Sequence, residues 1–153
     1  MPARRRVAST AEFEQSLRRL DDATAGQALG RALMAGGLII VNAGKENIQA
    51  QGLVLTSTLM RSVDQELTEV SRDRAVDEIG TNLPYAAIHE FGGTIVPVNA
   101  QFLRFEIDGV VIFTKSVEIP ARPYLRPAFD ENIDAAMAEV VATLRILLRE
   151  ALA

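Results

Sequence analysis

The chain is predicted to be α+β, a small, mainly antiparallel sheet of about four strands flanked by two long helices. Three observations predict it. Apolar residues recur at three- and four-residue steps near the middle of the first half and again at the C-terminal end. Between them lie short alternating segments separated by turn residues, Asp108-Gly109 above all. No internal repeat, low-complexity tract or linker divides the 153 residues, so one domain over 1–153 is expected.

The elements follow in order. Ser9 with Glu12 three positions later is a capping-box pattern, and Phe13, Leu17 and Leu20 then share one face of a short helix. Asp21-Asp22 interrupts it and can cap the next. From about Ala23 to Ile48, the residues Leu29, Leu33, Gly36, Ile40 and Ala43 form one stripe of a long central helix. Gly36-Gly37 within it implies either a kink or the close approach of another element, since each helical glycine costs about 1 kcal/mol relative to alanine. Thr56 to Val63 reads as a short helix. Leu67–Ser71 and Ala75–Gly80 read as strands joined by Arg72-Asp73-Arg74, and Phe102–Ile107 with Val110–Thr114 as a hairpin about Asp108-Gly109. The last helix runs from about Pro127 to Ala151, with Pro127 at its start, acidic residues in its first turns, and Ile133, Met137, Val140, Leu144 and Leu148 on its stripe.

Composition narrows function. No cysteine means no disulfide, thiolate nucleophile or cysteine-bound zinc, and one histidine, His89, would have to serve every triad. The net charge of −4 with dispersed basic residues argues against a protein that wraps nucleic acid. Arg4-Arg5-Arg6 could touch phosphate or an acidic neighbour, but a mobile basic tip over 1–8 is the expectation. It leads into polar Ser9-Thr10, not an apolar stretch, and no uninterrupted apolar run approaches the ~20 residues of a membrane span; neither export nor a membrane is expected.

Candidate chemistry is sparse. His89-Glu90 resembles the start of a zinc-protease motif, but the second histidine is replaced by Gly93. Gly92-Gly93 lacks the Lys-Ser or Lys-Thr of a phosphate loop and reads as a helix stop. Asp77 and Glu78 would point to opposite faces of a strand. No catalytic, cofactor or metal residue is assigned, and no enzymatic activity is expected. More distinctive is Pro120-Ala121-Arg122-Pro123-Tyr124-Leu125-Arg126-Pro127, with three prolines in eight residues. It is stiff, and serves as a connector whose Tyr124 and Leu125 close the core, as an interface presenting Arg122, Tyr124 and Arg126, or as both.

Three segments in order carry a resemblance: Thr58–Val63, Ile79–Gly93 and Ile119–Ala128. The chain resembles the tail-completion families of tailed bacteriophages, both the Mu-like virion-morphogenesis family and a related siphophage family of head–tail joining or minor tail proteins. The Tyr85-Ala86, Glu90-Phe91-Gly92 and Pro120–Pro123 positions match the family pattern. The resemblance implies a structural neck protein that completes the tail and joins it to the head. It would be made in the host cytoplasm, built into the virion as a homo-oligomeric ring, and set against a tail terminator and a head connector or stopper. DNA would pass without sequence-specific binding. A non-virion assembly factor and a terminator-type ring protein are the alternatives. His89 and its neighbours look more Mu-like, and Arg126-Pro127-Ala128 more siphophage-like, so the layer of the neck stays open. The expected interface or structural residues are Tyr85, Glu90, Phe91, Gly92, Arg122, Pro123, Tyr124 and Arg126. Tyr85, Ile88 and Phe91 are expected to anchor a short helix on the sheet, Gly92 to end it, and Glu90 to pair with Arg122 or Arg126.

Overall fold

The computed structural model describes residues 21–53 and 57–152, together with Gln15. The capping box at Ser9 and Glu12, the helix to Leu20 and the basic tip over 1–8 lie outside the described residues. Helix α1 spans Asp22–Ala50 without interruption. Asp21 caps it, its Oδ1 accepting from the Thr24 amide at 2.9 Å and its Oδ2 from the Thr24 hydroxyl at 2.8 Å. Those two bonds hold the Asp21 carboxyl below its usual pKa. After α2 (Thr58–Ser62) come strands β1 (Asp64–Val70) and β2 (Ala75–Gly80), an antiparallel pair whose register shifts between Leu67 and Glu69. Helix α3 (Ala86–Phe91) leads to β3 (Gly93–Ile95), β4 (Leu103–Ile107), β5 (Val110–Thr114) and β6 (Val117–Ile119), and α4 (Leu125–Ala151) ends the described chain.

Three layers make the body, with α4 on one side of α1 and the β1–β2 pair on the other. Ala25 and Ala28 cluster with Leu148, Gly36 lies beside Ala136 and Val140, and Gly44 faces Leu125 and Ala128, so α1 and α4 run antiparallel. A Cβ at Gly36 would stand 2.5 Å from both the Ala136 carbonyl oxygen and Val140 Cγ2. Only a glycine lets the two backbones come this close, so the expected glycine signal marks a close approach. On the opposite face, Gly26 and Gly30 admit Val70 and Leu67.

Helix α1 is long and apolar enough, by length and composition, to cross a bilayer, more than the sequence reading allowed for. Both faces are instead covered by protein, and half of its most apolar window is buried. The main core cluster sits at its C-terminal end, where Val41 and Ile48 pack with Leu59, Val63, Ala86 and Tyr124.

The α+β class and the two long helices agree with expectation, but the strands do not form one sheet of four. They form three separate antiparallel pairs, β1–β2, β3–β6 and β4–β5. The β1–β2 and β4–β5 pairs close through short turns, the β4–β5 turn having positive φ at both Asp108 (50°) and Gly109 (81°), as a tight two-residue turn requires, whereas β3–β6 brackets the β4–β5 hairpin. Merging pairs into a sheet needs edge contacts between distant segments, and the chain between β2 and β3 instead turns away through α3.

Candidate assembly site at the Glu90 junction

Helix α3 is only six residues long and has little intrinsic stability. Ala86, buried at 4% exposure, is the residue that seats it on the core. Tyr85 and Phe91, expected as anchors, are 43% and 73% exposed. One turn and a half of helix presents a narrow face, and small Ala86 takes it, which leaves the two rings outside. Tyr85 meets the His89 ring edge-on, centroids 6.1 Å apart. Gly92 ends the helix as expected, with φ 69°, and a Cβ there would also meet the Ala121 nitrogen at 2.8 Å and the Ile119 oxygen at 2.9 Å. The chain thus leaves α3 and comes back beside it as Ile119–Ala121.

Glu90 points from α3 at the start of α4. Its Oε2 accepts from the amides of Tyr124 (2.8 Å) and Leu125 (3.0 Å), and its Oε1 from the amide of Arg126 (2.9 Å). Those amides are among the free donors that open any helix, and the helix dipole favours a negative charge there. Tyr124, at the cap position, makes no side-chain cap bond of its own. Glu90 is therefore a remote cap, and Pro127, the third residue of α4, removes one further donor. The expected pairing of Glu90 with the Arg122 or Arg126 side chain is corrected: three backbone amides already occupy the carboxylate. The two motifs are joined all the same, through main chain and not through a salt bridge.

The rest of the connector is fastened in the same manner. The Arg122 amide donates to the His89 carbonyl at 2.7 Å. Gln51 Nε2 donates to the Pro123 carbonyl at 2.7 Å, and Asn47 Nδ2 to the Tyr124 carbonyl at 3.0 Å. Asn47 and Gln51 are missing from the sequence reading. Their four-residue spacing at the polar end of an apolar helix was a visible signal. Tyr124 closes the core as expected, 2% exposed, and burial together with the Glu90 charge raises its hydroxyl pKa. Among the eight expected residues, Glu90, Gly92, Pro123, Tyr124 and the backbones of Arg122 and Arg126 meet in one junction. The side chains of Tyr85, Phe91, Arg122 and Arg126 face outward.

Beside the junction lies an open groove of about 560 Å³, lined mainly by apolar residues including Ile40, Ile79, Leu83, Phe91, Leu125 and Phe129, with Arg126 and Asp130 at its edge. A second polar feature sits behind β2. The Asp77 carboxylate and Gln65 Oε1 are both buried against Gly37 without a hydrogen-bond partner among the described residues, while Gln65 Nε2 donates to the Met34 carbonyl at 3.0 Å. Burial raises the Asp77 pKa. Glu78, its neighbour, faces solvent, so the two carboxylates do lie on opposite faces. Among the described residues, no three His, Cys, Asp or Glu side chains gather as a metal site.

The sequence profile of the phage virion morphogenesis family matches residues 40–145, from the middle of α1 through most of α4. The chain belongs to the phage virion morphogenesis family. The matched span contains the groove, the strands and the whole Glu90 junction. Comparison with curated proteins and with solved structures gives no match. Membership in the virion morphogenesis family makes this a phage protein of virion assembly, associated with other virion proteins. Within the matched span, the Glu90 junction ties α3, the connector and the start of α4 together.

Proposed function

We propose that the protein is a structural subunit of the phage neck, which completes the tail and joins it to the head as part of a homo-oligomeric ring, and that it acts by assembly without catalysis. The observation that carries this reading is the contrast between the rigid junction and what surrounds it. A body locked by Glu90 carries a strand segment from Gly93 to Ile119 in which no residue is buried. Large apolar side chains left open on a rigid frame suit a subunit whose packing is finished by neighbours. A net charge of −4 suits a channel wall past which DNA slides without being gripped. Its neighbours in this reading are a tail terminator on one side and a head connector or stopper on the other.

Mass spectrometry of purified virions and cryo-EM of the neck test this directly. The expected result is a ring of this chain between head and tail, with phages lacking it accumulating filled heads and unjoined tails. A finished virion without the chain, produced only when the chain is present, would replace the reading with that of an assembly factor.

A further inference from the structure

The segment from Gly93 to Ile119 is an arm. Its two strand pairs make their extended contacts within themselves, while α1 packs broadly on α4, β1 and β2. In the β4–β5 hairpin the register pairs Arg104 with Phe113 and Glu106 with Val111, so these four side chains share one face. All four are exposed, Phe113 at 64%. A two-stranded hairpin is marginally stable in water without something packed on it. Phe113 is the large ring of this face, and no described residue covers it.

The body carries the complement. The groove beside the Glu90 junction holds about 560 Å³, and its lining includes Phe91 and Phe129, which are 73% and 47% exposed. Also in its lining, Arg126 and Asp130 stand one helical turn apart on α4, about 6 Å by the helical rise. On the arm, Glu106 and Arg104 stand two strand residues apart, about 7 Å by the strand rise. Among the described residues none of these four makes an ion pair within the chain. The two charge pairs therefore match in sign and spacing when the hairpin is laid along the groove, Glu106 on Arg126 and Arg104 on Asp130, with Phe113 entering between the two rings.

We infer that the β4–β5 arm of one protomer docks in this groove of a second copy of the same chain, Phe113 seated between Phe91 and Phe129 and the charges paired as above. The inference deepens the proposed function and rests on its homo-oligomeric reading. The arm does not fill the groove of its own chain, where Phe113, Phe91 and Phe129 are all exposed. Each copy thus offers one arm and one groove at different places, a head-to-tail contact that propagates and closes into a ring when the rotation allows.

The absence of cysteine gives a clean test. Mixing Phe113→Cys with Phe129→Cys protein under oxidation is expected to yield a crosslinked dimer, and the double variant a ladder of multimers; either single variant alone yields none. Phe113→Asp, folded by circular dichroism, is expected to weaken self-association by more than about tenfold in sedimentation. Glu106→Arg weakens it too, and adding Arg126→Glu restores it. Oligomers that form without the crosslink, or that survive Phe113→Asp unchanged, overturn the arm-in-groove contact and leave the homo-oligomeric reading standing. A chain monomeric in sedimentation at every concentration and free of crosslinks overturns both. A groove that instead crosslinks to a different virion protein in the assembled particle, and never to this chain, also overturns the contact.

Discussion

The body and the arm obey different rules. In the body, every layer presses on α1, and small residues set the distances: Ala32 and Ala128 are at 0% exposure, and Gly36 admits the α4 backbone. In the arm, residues 93–119 include no buried residue, and eight of the seventeen exposed large hydrophobic side chains among the described residues lie there. The body has a buried core of its own, and the arm has none among the described residues. Stability should therefore be concentrated in the first, and recognition in the second.

The largest expected effect breaks the body. Gly36→Ala places a methyl group 2.5 Å from the Ala136 carbonyl oxygen and Val140 Cγ2, and neither backbone can yield without separating the helices. Overpacking of this kind costs about 2 to 3 kcal/mol, and Gly36→Val more. Urea unfolding measures it; an unchanged midpoint would mean that α1 and α4 are not in contact there. Next is Glu90→Ala, which strips the acceptor from three amides at the start of α4. Charge-assisted bonds to a helix end make a loss of about 2 kcal/mol the expectation, with Glu90→Gln keeping part of it. Arg122→Ala should leave the unfolding midpoint nearly unchanged, since it is the Arg122 amide and not its guanidinium that holds the connector.

Asp77 sharpens the comparison from the other direction, being a body residue whose environment is unfavourable. Its folded pKa is raised by burial, above its unfolded value. Below the ordinary carboxylate pKa of about 3.9 its carboxyl is protonated in both states and can donate to Gln65 Oε1. As pH rises through the raised folded value, that contribution is lost, because burial strips the ionised carboxylate of water and no hydrogen bond among the described residues replaces it. Asp77→Asn supplies an N–H donor without the charge. It is expected to stabilise the protein by about 1 kcal/mol at pH 7, with the gain shrinking toward pH 4. Urea midpoints at the two pH values measure the difference; a gain that persists undiminished at pH 4 would point away from ionisation.

How much of this was legible in the sequence depends on how local the cause was. The Asp21 cap, the Asp108-Gly109 turn and the apolar stripes of α1 and α4 are decided by residues within a turn or two of each other, and their patterns predict them. Gly92 is legible for the same reason. Glu90 was identified as joining two motifs, but its partners are amides, and backbone groups leave no mark in a sequence; the arginines nearby were the visible candidates. Phe91 and Tyr85 looked like core because aromatic rings usually are, whereas a six-residue helix seated by Ala86 has no inner face left for them. The division into three strand pairs is of the same kind. Local turns specify β1–β2 and β4–β5, β3–β6 joins segments on either side of a hairpin, and nothing in the residue pattern shows that the pairs stay apart.

The smallest expected effect on stability belongs to the arm, and it is the most informative about the division. Phe113→Asp removes an apolar ring that is 64% exposed, so it should move the unfolding midpoint by less than about 0.5 kcal/mol. Hydrogen exchange gives the companion measurement. Amides of β4 and β5 have one strand partner each and no cover, so they should exchange by local opening, far faster than those of α1, which open only with the whole body. If the arm is completed by a neighbour, its amides become protected on assembly while the α1 rates stay as they were. Equal protection of arm and α1 in the unassembled chain would mean that the arm is folded by contacts of its own, and the body and the arm would then be one cooperative unit.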